Sequence, residues 1–205
     1  IIPLEKVPAL VYRDSTDKKL VVNWNEDAIV MDLDQLGFPM IEDSLTGTMR
    51  QGEVVGIITG RGCPYQCAFC YEGANAKKVR LRSVSSVMEE IDYIAEHNQR
   101  LNFISIYDDT FTFNQDRILE FCEEIDKRKI MWFCEGHISF VVKHPKIIKR
   151  MIEAGLTCIQ FGIESGSQKV LDAYNKHTDT EMIISAIEIC KKLGIHSITG
   201  NFIIG

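Results

Sequence analysis

The sequence predicts an α/β protein built of repeated strand-helix units around a parallel sheet. From about Val54 onward, short apolar β-branched runs alternate with longer segments of helical period. Those runs are continuously apolar, as strands covered on both faces are. With 205 residues and 45% hydrophobic content, the chain can also bury one substantial core. Periodicity alone leaves open whether the strands curl into a barrel wall or form a doubly wound sheet.

The first fifty residues read as an N-terminal hairpin and linker (1–50) ahead of the core (51–205). Residues 10–12 and 20–24 flank a polar turn at 14–19, and an irregular connector follows at 32–40. Core strands are expected at 54–59, 101–107, 130–135, 157–163 and 196–204. Between them, Ser83 or Ser86 can cap a helix running to His97, with Val84, Val87, Ile91 and Ile94 facing inward. Asn114 can cap the next, with Ile118, Phe121, Cys122 and Ile125 inward. Pro145 opens a third helix that Gly155 terminates. Thr178 or Asp179 starts a fourth, with Ile183, Ile184, Ile187 and Cys190 buried and Gly194 closing it. The chain stops on Ile203, Ile204 and Gly205 inside a strand-like run, so the full protein is expected to continue.

A formal net charge of −6 argues against a surface that binds nucleic acid through its phosphates. Lys77, Lys78, Arg80 and Arg82 form one cationic run, read as a solvated helix approach. No apolar stretch is long enough to span a membrane and no signal core opens the chain, so a cytoplasmic protein is expected. Three of the seven cysteines lie within eight residues, a pattern of reduced, metal-ligating thiols and not of a secreted disulfide framework.

Those three are Cys63, Cys67 and Cys70, four and three residues apart after a strand and a Gly60-Arg61-Gly62 bend. Three thiolates can hold three corners of a 4Fe-4S cubane and leave one iron open, whereas electron-transfer sites close all four. A structural zinc site needs four ligands, and no fourth Cys or His stands at zinc-finger spacing. A thioredoxin-like dithiol would leave Cys63 unexplained. The remaining cysteines, Cys122, Cys134, Cys158 and Cys190, read as small buried apolar residues.

Barrel enzymes gather their sites at the carboxyl ends of strands. There the sequence places Asp108 and Asp109, then Glu135 and His137, then Glu164 and Ser165, with Asn201 in the fifth strand. Paired Asp residues after a strand also often cap the next helix, and His137 reads as a satisfied core histidine in preference to a catalytic one.

The three-cysteine loop, with Phe69 before its last thiol, resembles the signature of the radical S-adenosylmethionine superfamily. Tyr107-Asp108-Asp109-Thr110-Phe111 is similar to the Asp-Asp variant found in its cobalamin-associated and methylthiotransferase-like branches. Phe161-Gly162-Ile163-Glu164-Ser165-Gly166 and Gly200-Asn201-Phe202-Ile203-Ile204-Gly205 are similar to the motifs of its fourth and fifth strands. The resemblance implies a partial TIM-like (β/α)6 barrel, here ending after the fifth strand. It implies Cys63, Cys67 and Cys70 as cluster ligands, and Phe69, Asp108 or Asp109, Glu164, Ser165 and Asn201 around S-adenosylmethionine, with Ile198 or Phe202 near the adenine. The implied activity is reductive cleavage of S-adenosylmethionine to a 5'-deoxyadenosyl radical that abstracts a substrate hydrogen, with cobalamin-dependent methyl transfer or rearrangement as one outcome.

Residues 7–13 and 32–39 resemble the linker that precedes the barrel in cobalamin-binding relatives, with Gly37 in place of the usual Pro. Any cobalamin would be held by a domain outside this chain. Implied partners are a small-molecule or peptide substrate and an electron donor such as flavodoxin or ferredoxin. The alternative from another class is a zinc-stabilised, non-catalytic binding module.

Overall fold

The computed structural model describes residues 2–23, 30–39, 54–72, 79–98 and 100–204. Lys77, Lys78, Trp24, Met40 and Gly205 lie outside them.

A hairpin comes first, β1 (Val11–Arg13) pairing antiparallel with β2 (Leu20–Val22). The barrel wall starts with β3 (Val55–Ile57). Next, β4 (Gly60–Arg61) and β5 (Arg80–Leu81) form a two-residue antiparallel ladder. Then follow α1 (Val84–His97), β6 (Phe103–Ile106), α2 (Gln115–Arg128) and β7 (Met131–Gly136). After these come α3 (Ile138–Lys143), α4 (Pro145–Glu153), β8 (Leu156–Glu164), α5 (Gln168–Ala173), α6 (Thr180–Lys192) and β9 (Ser197–Phe202).

Strands β3, β6, β7, β8 and β9 form one parallel sheet in that spatial order. Each new strand joins beside the last, whereas a doubly wound sheet reverses direction at a switch point. Strand order therefore makes the fold a partial TIM-like barrel. One register row, Ile57, Ile106, Cys134, Ile159 and Ile198, packs with the helices in a single core. The neighbouring row, Gly56, Ser105, Phe133, Cys158 and Ser197, points to the opposite face. Trp132 anchors the core: Phe111 and Phe121 meet its ring edge-on at 5.5 and 5.1 Å, and its Nε1 donates to Ala154 O at 3.0 Å.

The helix starts are set by side-chain caps. Ser83 Oγ accepts from Ser86 N at 3.1 Å, Asn114 Oδ1 from Arg117 N at 3.1 Å, and Asp179 Oδ1 from Met182 N at 2.7 Å. Gly155, at φ +100°, stops α4 where a Cβ would lie 2.7 Å from Ile130 O.

Some expectations need correction. Ile184 is 59% exposed, because the inward stripe of α6 runs through Ile183, Ala186 and Cys190. Helices α3 and α5 were not expected, since six residues are too few to set up a period. The connector at 32–40 contains a 3-10 turn (Leu33–Gln35) whose Leu33 is buried. Arg82 is not solvated: it pairs with buried Glu90, donates to Ile58 O at 3.2 Å and lies 5.8 Å from the Phe38 ring. Arg80 Nη1 donates to Val30 O at 2.8 Å. The two arginines of that charge run thus join residues 30–39 to the barrel.

Candidate metal centre

The cysteine loop leaves β3 and is closed at its stem by the β4–β5 ladder. Gly60 lets the strands approach closely at that crossing, since a Cβ there would displace Leu81 Cδ2, 2.6 Å away, and press on Arg80 O at 3.3 Å. Beyond it Cys63, Cys67 and Cys70 are free, half-buried thiols, with Cys70 N donating to Cys67 O at 3.1 Å. Burial pushes the Cys63 thiol up, and the charges of Cys67, Cys70 and Asp109 push it further. Burial also raises Cys67 against the opposing pull of Lys176, with Cys70 and Glu164 adding to the rise. Thiolates gathered among carboxylates repel one another, and the positive charge of iron ions would offset that repulsion. No three His, Cys, Asp or Glu side chains among the described residues crowd closely enough to hold one metal ion. A cubane, by contrast, spreads its thiolates over separate irons. The donor set fits a 4Fe-4S cluster.

The candidate residues differ in burial and partners. Asp108 is buried, with Oδ1 accepting from Thr59 N at 2.6 Å and Gly60 N at 2.9 Å. Burial raises its pKa against the hydrogen bonds of Thr59 and Gly60 and the charge of Arg117. Exposed Asp109 accepts from Gly62 N at 2.7 Å and lies within electrostatic reach of Cys63 and Glu135. Glu135 takes a 3.1 Å hydrogen bond from Gln160 Nε2, and its pKa is raised by burial and by Asp109.

Glu164 stands at φ +64°, a left-handed conformation rare for a side chain of this size. It pairs with Lys176 at 3.0 Å, the two side chains being 11% and 10% exposed. Gly162 leaves room for the pair, since a Cβ there would lie 2.7 Å from Lys176 Nζ. Ser165 Oγ accepts from Ser167 N at 3.1 Å. Asn201 is exposed on β9, Phe202 is 57% exposed, and Ile198 packs on the core. His137 is buried as expected of a core residue, with its Nδ1 2.8 Å from Ser139 Oγ and its ring stacked on Tyr65. It is not fully satisfied, since its Nε2 is buried with no hydrogen-bond partner among the described residues.

Sequence reasoning missed the turn after α5. Ala68 N donates to Tyr174 O at 2.8 Å, and Asn175 Nδ2 to Gln66 O at 2.9 Å. Phe69 meets the Tyr174 ring at 5.0 Å, with Lys176 Nζ 5.8 Å from the Phe69 centroid. These residues stand over a hundred positions from the thiols, in a polar stretch without a motif.

A parallel barrel wall with a triple-thiol loop at its carboxyl mouth places the chain among barrel proteins that gather candidate metal ligands at strand ends. The sequence profile of the radical SAM superfamily matches residues 57–205, and the chain belongs to that superfamily of enzymes. The superfamily uses a 4Fe-4S cluster and S-adenosylmethionine. The chain is 34% identical over 152 residues to an uncharacterized methyltransferase of Pyrococcus horikoshii, covering 73% of this chain and 32% of that protein. It is 30% identical over 147 residues to the anaerobic magnesium-protoporphyrin IX monomethyl ester cyclase of Rubrivivax gelatinosus, covering 71% and 26%. The chain thus spans about a third or less of these relatives. The cobalamin-dependent S-adenosylmethionine radical enzyme OxsB, solved with aqua-cobalamin and S-adenosylmethionine, shares the fold. Its TM-score is 0.81 at 23% identity, covering 98% of this chain and 30% of OxsB.

Proposed function

We propose that the chain is the catalytic core of a radical S-adenosylmethionine enzyme whose cluster is held by Cys63, Cys67 and Cys70. The observation that carries this reading is the trio of neighbouring free thiols at the barrel mouth, bracketed by Asp109 and Glu164. When bound, the cluster supplies the electron that splits S-adenosylmethionine into methionine and a 5'-deoxyadenosyl radical able to take a substrate hydrogen.

The chain's own residues bind and orient. Asp109 is the exposed carboxylate beside Cys63 and suits the cosubstrate ammonium. Lys176, whose charge reaches Cys67, suits the carboxylate. Glu164, released from Lys176, has the acceptors that ribose hydroxyls need, while Ser165 and Asn201 add neutral polar groups. The Phe69–Tyr174 edge contact forms an apolar wall.

Anaerobic reconstitution should give a brown protein with about four iron and four sulfide per chain. With a reductant it should release 5'-deoxyadenosine, and Ala at any of the three cysteines should abolish both properties. Stoichiometric zinc without iron would instead support the non-catalytic binding module.

Cobalamin-dependent methyl transfer is the specialised reading, with the cobalamin held outside this chain. The match to OxsB supports it by taking in the hairpin and linker as well as the barrel. Binding of hydroxocobalamin by a longer protein that contains this chain checks it, and failure to bind overturns it. The division into linker (1–50) and core (51–205), a cytoplasmic location and a flavodoxin or ferredoxin donor belong to the same proposal. No helix among the described residues is long and apolar enough to cross a membrane.

A further inference from the structure

Where β3 gives way to the cysteine loop, the backbone loses its regular ladder partners and side chains take them over. Asp108, 4% exposed at the end of β6, spends Oδ1 on Thr59 N and Gly60 N, and its Oδ2 accepts from Thr59 Oγ1 at 2.5 Å. From the first turn of α2, Arg117, 9% exposed, donates Nη2 to Thr59 O at 3.1 Å and Nε to Arg82 O at 3.3 Å. Arg82 N also donates to Thr59 O at 3.0 Å, joining the first β5–α1 residue to the same carbonyl. The adjacent Asp109 turns the other way, onto Gly62 N, and remains exposed.

The Asp-Asp dipeptide is therefore divided in function. A buried carboxylate that already accepts three hydrogen bonds beside a guanidinium has no open face for an incoming ammonium. We infer that Asp108 and Arg117 are positioning residues that fix the stem of the cysteine loop, and through it the three sulfurs, while of the two aspartates only Asp109 faces the cosubstrate. This inference rests on the reading of Cys63, Cys67 and Cys70 as cluster ligands.

The chemistry of an amide separates the two roles. In Asp108→Asn the retained oxygen still accepts from Thr59 N and Gly60 N, and the new amide nitrogen donates to a Thr59 hydroxyl turned around. In Asp108→Ala both backbone donors are left buried without acceptors. The experiment reads iron content, the electron paramagnetic resonance signal of the reduced cluster during S-adenosylmethionine titration, and amide hydrogen exchange of the metal-free protein at Thr59, Gly60 and Gly62.

Asp108→Asn should keep the wild-type iron content and cosubstrate midpoint within about threefold, whereas Asp109→Asn should keep iron and raise the midpoint by about tenfold or more. Asp108→Ala should lose at least about half its iron and exchange the stem amides at least about tenfold faster. The milder Arg117→Lys should speed the same amides if Asp108→Ala proves too unstable to purify. An Asp108→Asn protein with full iron but a midpoint raised like that of Asp109→Asn makes Asp108 a cosubstrate ligand and overturns the inference. So does Asp108→Ala or Arg117→Lys with wild-type iron and stem exchange. A wild-type protein that takes up no iron defeats the cluster reading instead, and the exchange of the metal-free stem still decides whether the clamp exists.

Discussion

At His137 the imidazole is 6% exposed, its Nδ1 caps α3 beside Ser139, and its ring lies 3.7 Å from that of Tyr65. Burial, followed by the nearby charge of Lys176, pulls its pKa from 6.5 down to about 4. The folded state therefore keeps the ring neutral where the unfolded chain binds a proton. Its contribution is intact above about pH 6.5 and is lost as the pH falls towards 4, by about 3 kcal/mol in all. His137→Asn keeps a capping oxygen but cannot titrate. Melting curves should show the wild type losing stability faster than this variant between pH 7 and 5, and parallel curves would mean that the ring is solvated. Much at this scale was legible beforehand: the thiol spacing singled out the three candidate ligands, which the fold keeps free and half-buried, and His137 read as a core residue. The split between Asp108 and Asp109 was not, because two adjacent carboxylates differ only once Thr59 and Gly62 are in place.

The turn between α5 and α6 is the element that holds the tip of the cysteine loop, as Asp108 and Arg117 hold its stem. Asn175 combines a left-handed backbone, φ +52°, with its hydrogen bond to Gln66 O. Asn tolerates that conformation better than most residues, and glycine better still. Asn175→Ala loses the bond and strains the backbone, at a combined cost of about 1–2 kcal/mol, whereas Asn175→Gly loses only the bond. Calorimetry should rank wild type, Gly and Ala in falling order of stability, and reconstituted protein should lose iron to a chelator in the reverse order. Equal iron loss would release the turn from any hold on the loop. Long helices were legible because caps and period agree: Asn114→Ala should cost about 1 kcal/mol by the same melt. The six-residue helices were not, and the turn that clamps the thiols hangs from one of them.

At the scale of the molecule, parallel strand-helix alternation was visible in the chain, but barrel and doubly wound sheets share that pattern and only the spatial strand order separates them. The linker was visible as a spacer and its attachment was not. Leu33 is 3% exposed, Asp34 accepts from Ser83 N at 2.9 Å at the head of α1, and the Phe38 ring lies 5.9 Å from that of Tyr93. A carboxylate at a helix N-terminus is favourably placed, and an apolar side chain this deep contributes to stability as a core residue does. Leu33→Ala should therefore cost about 2–3 kcal/mol, lowering the melting temperature of the whole chain by about 4–12 °C in a single transition. If the linker were an independent tether, the same substitution would leave the barrel's melting unchanged. A lower, cooperative transition would instead show that residues 30–39 melt with the barrel, so that strain applied to the linker reaches Arg82 and, through its backbone, Thr59 at the stem of the cysteine loop.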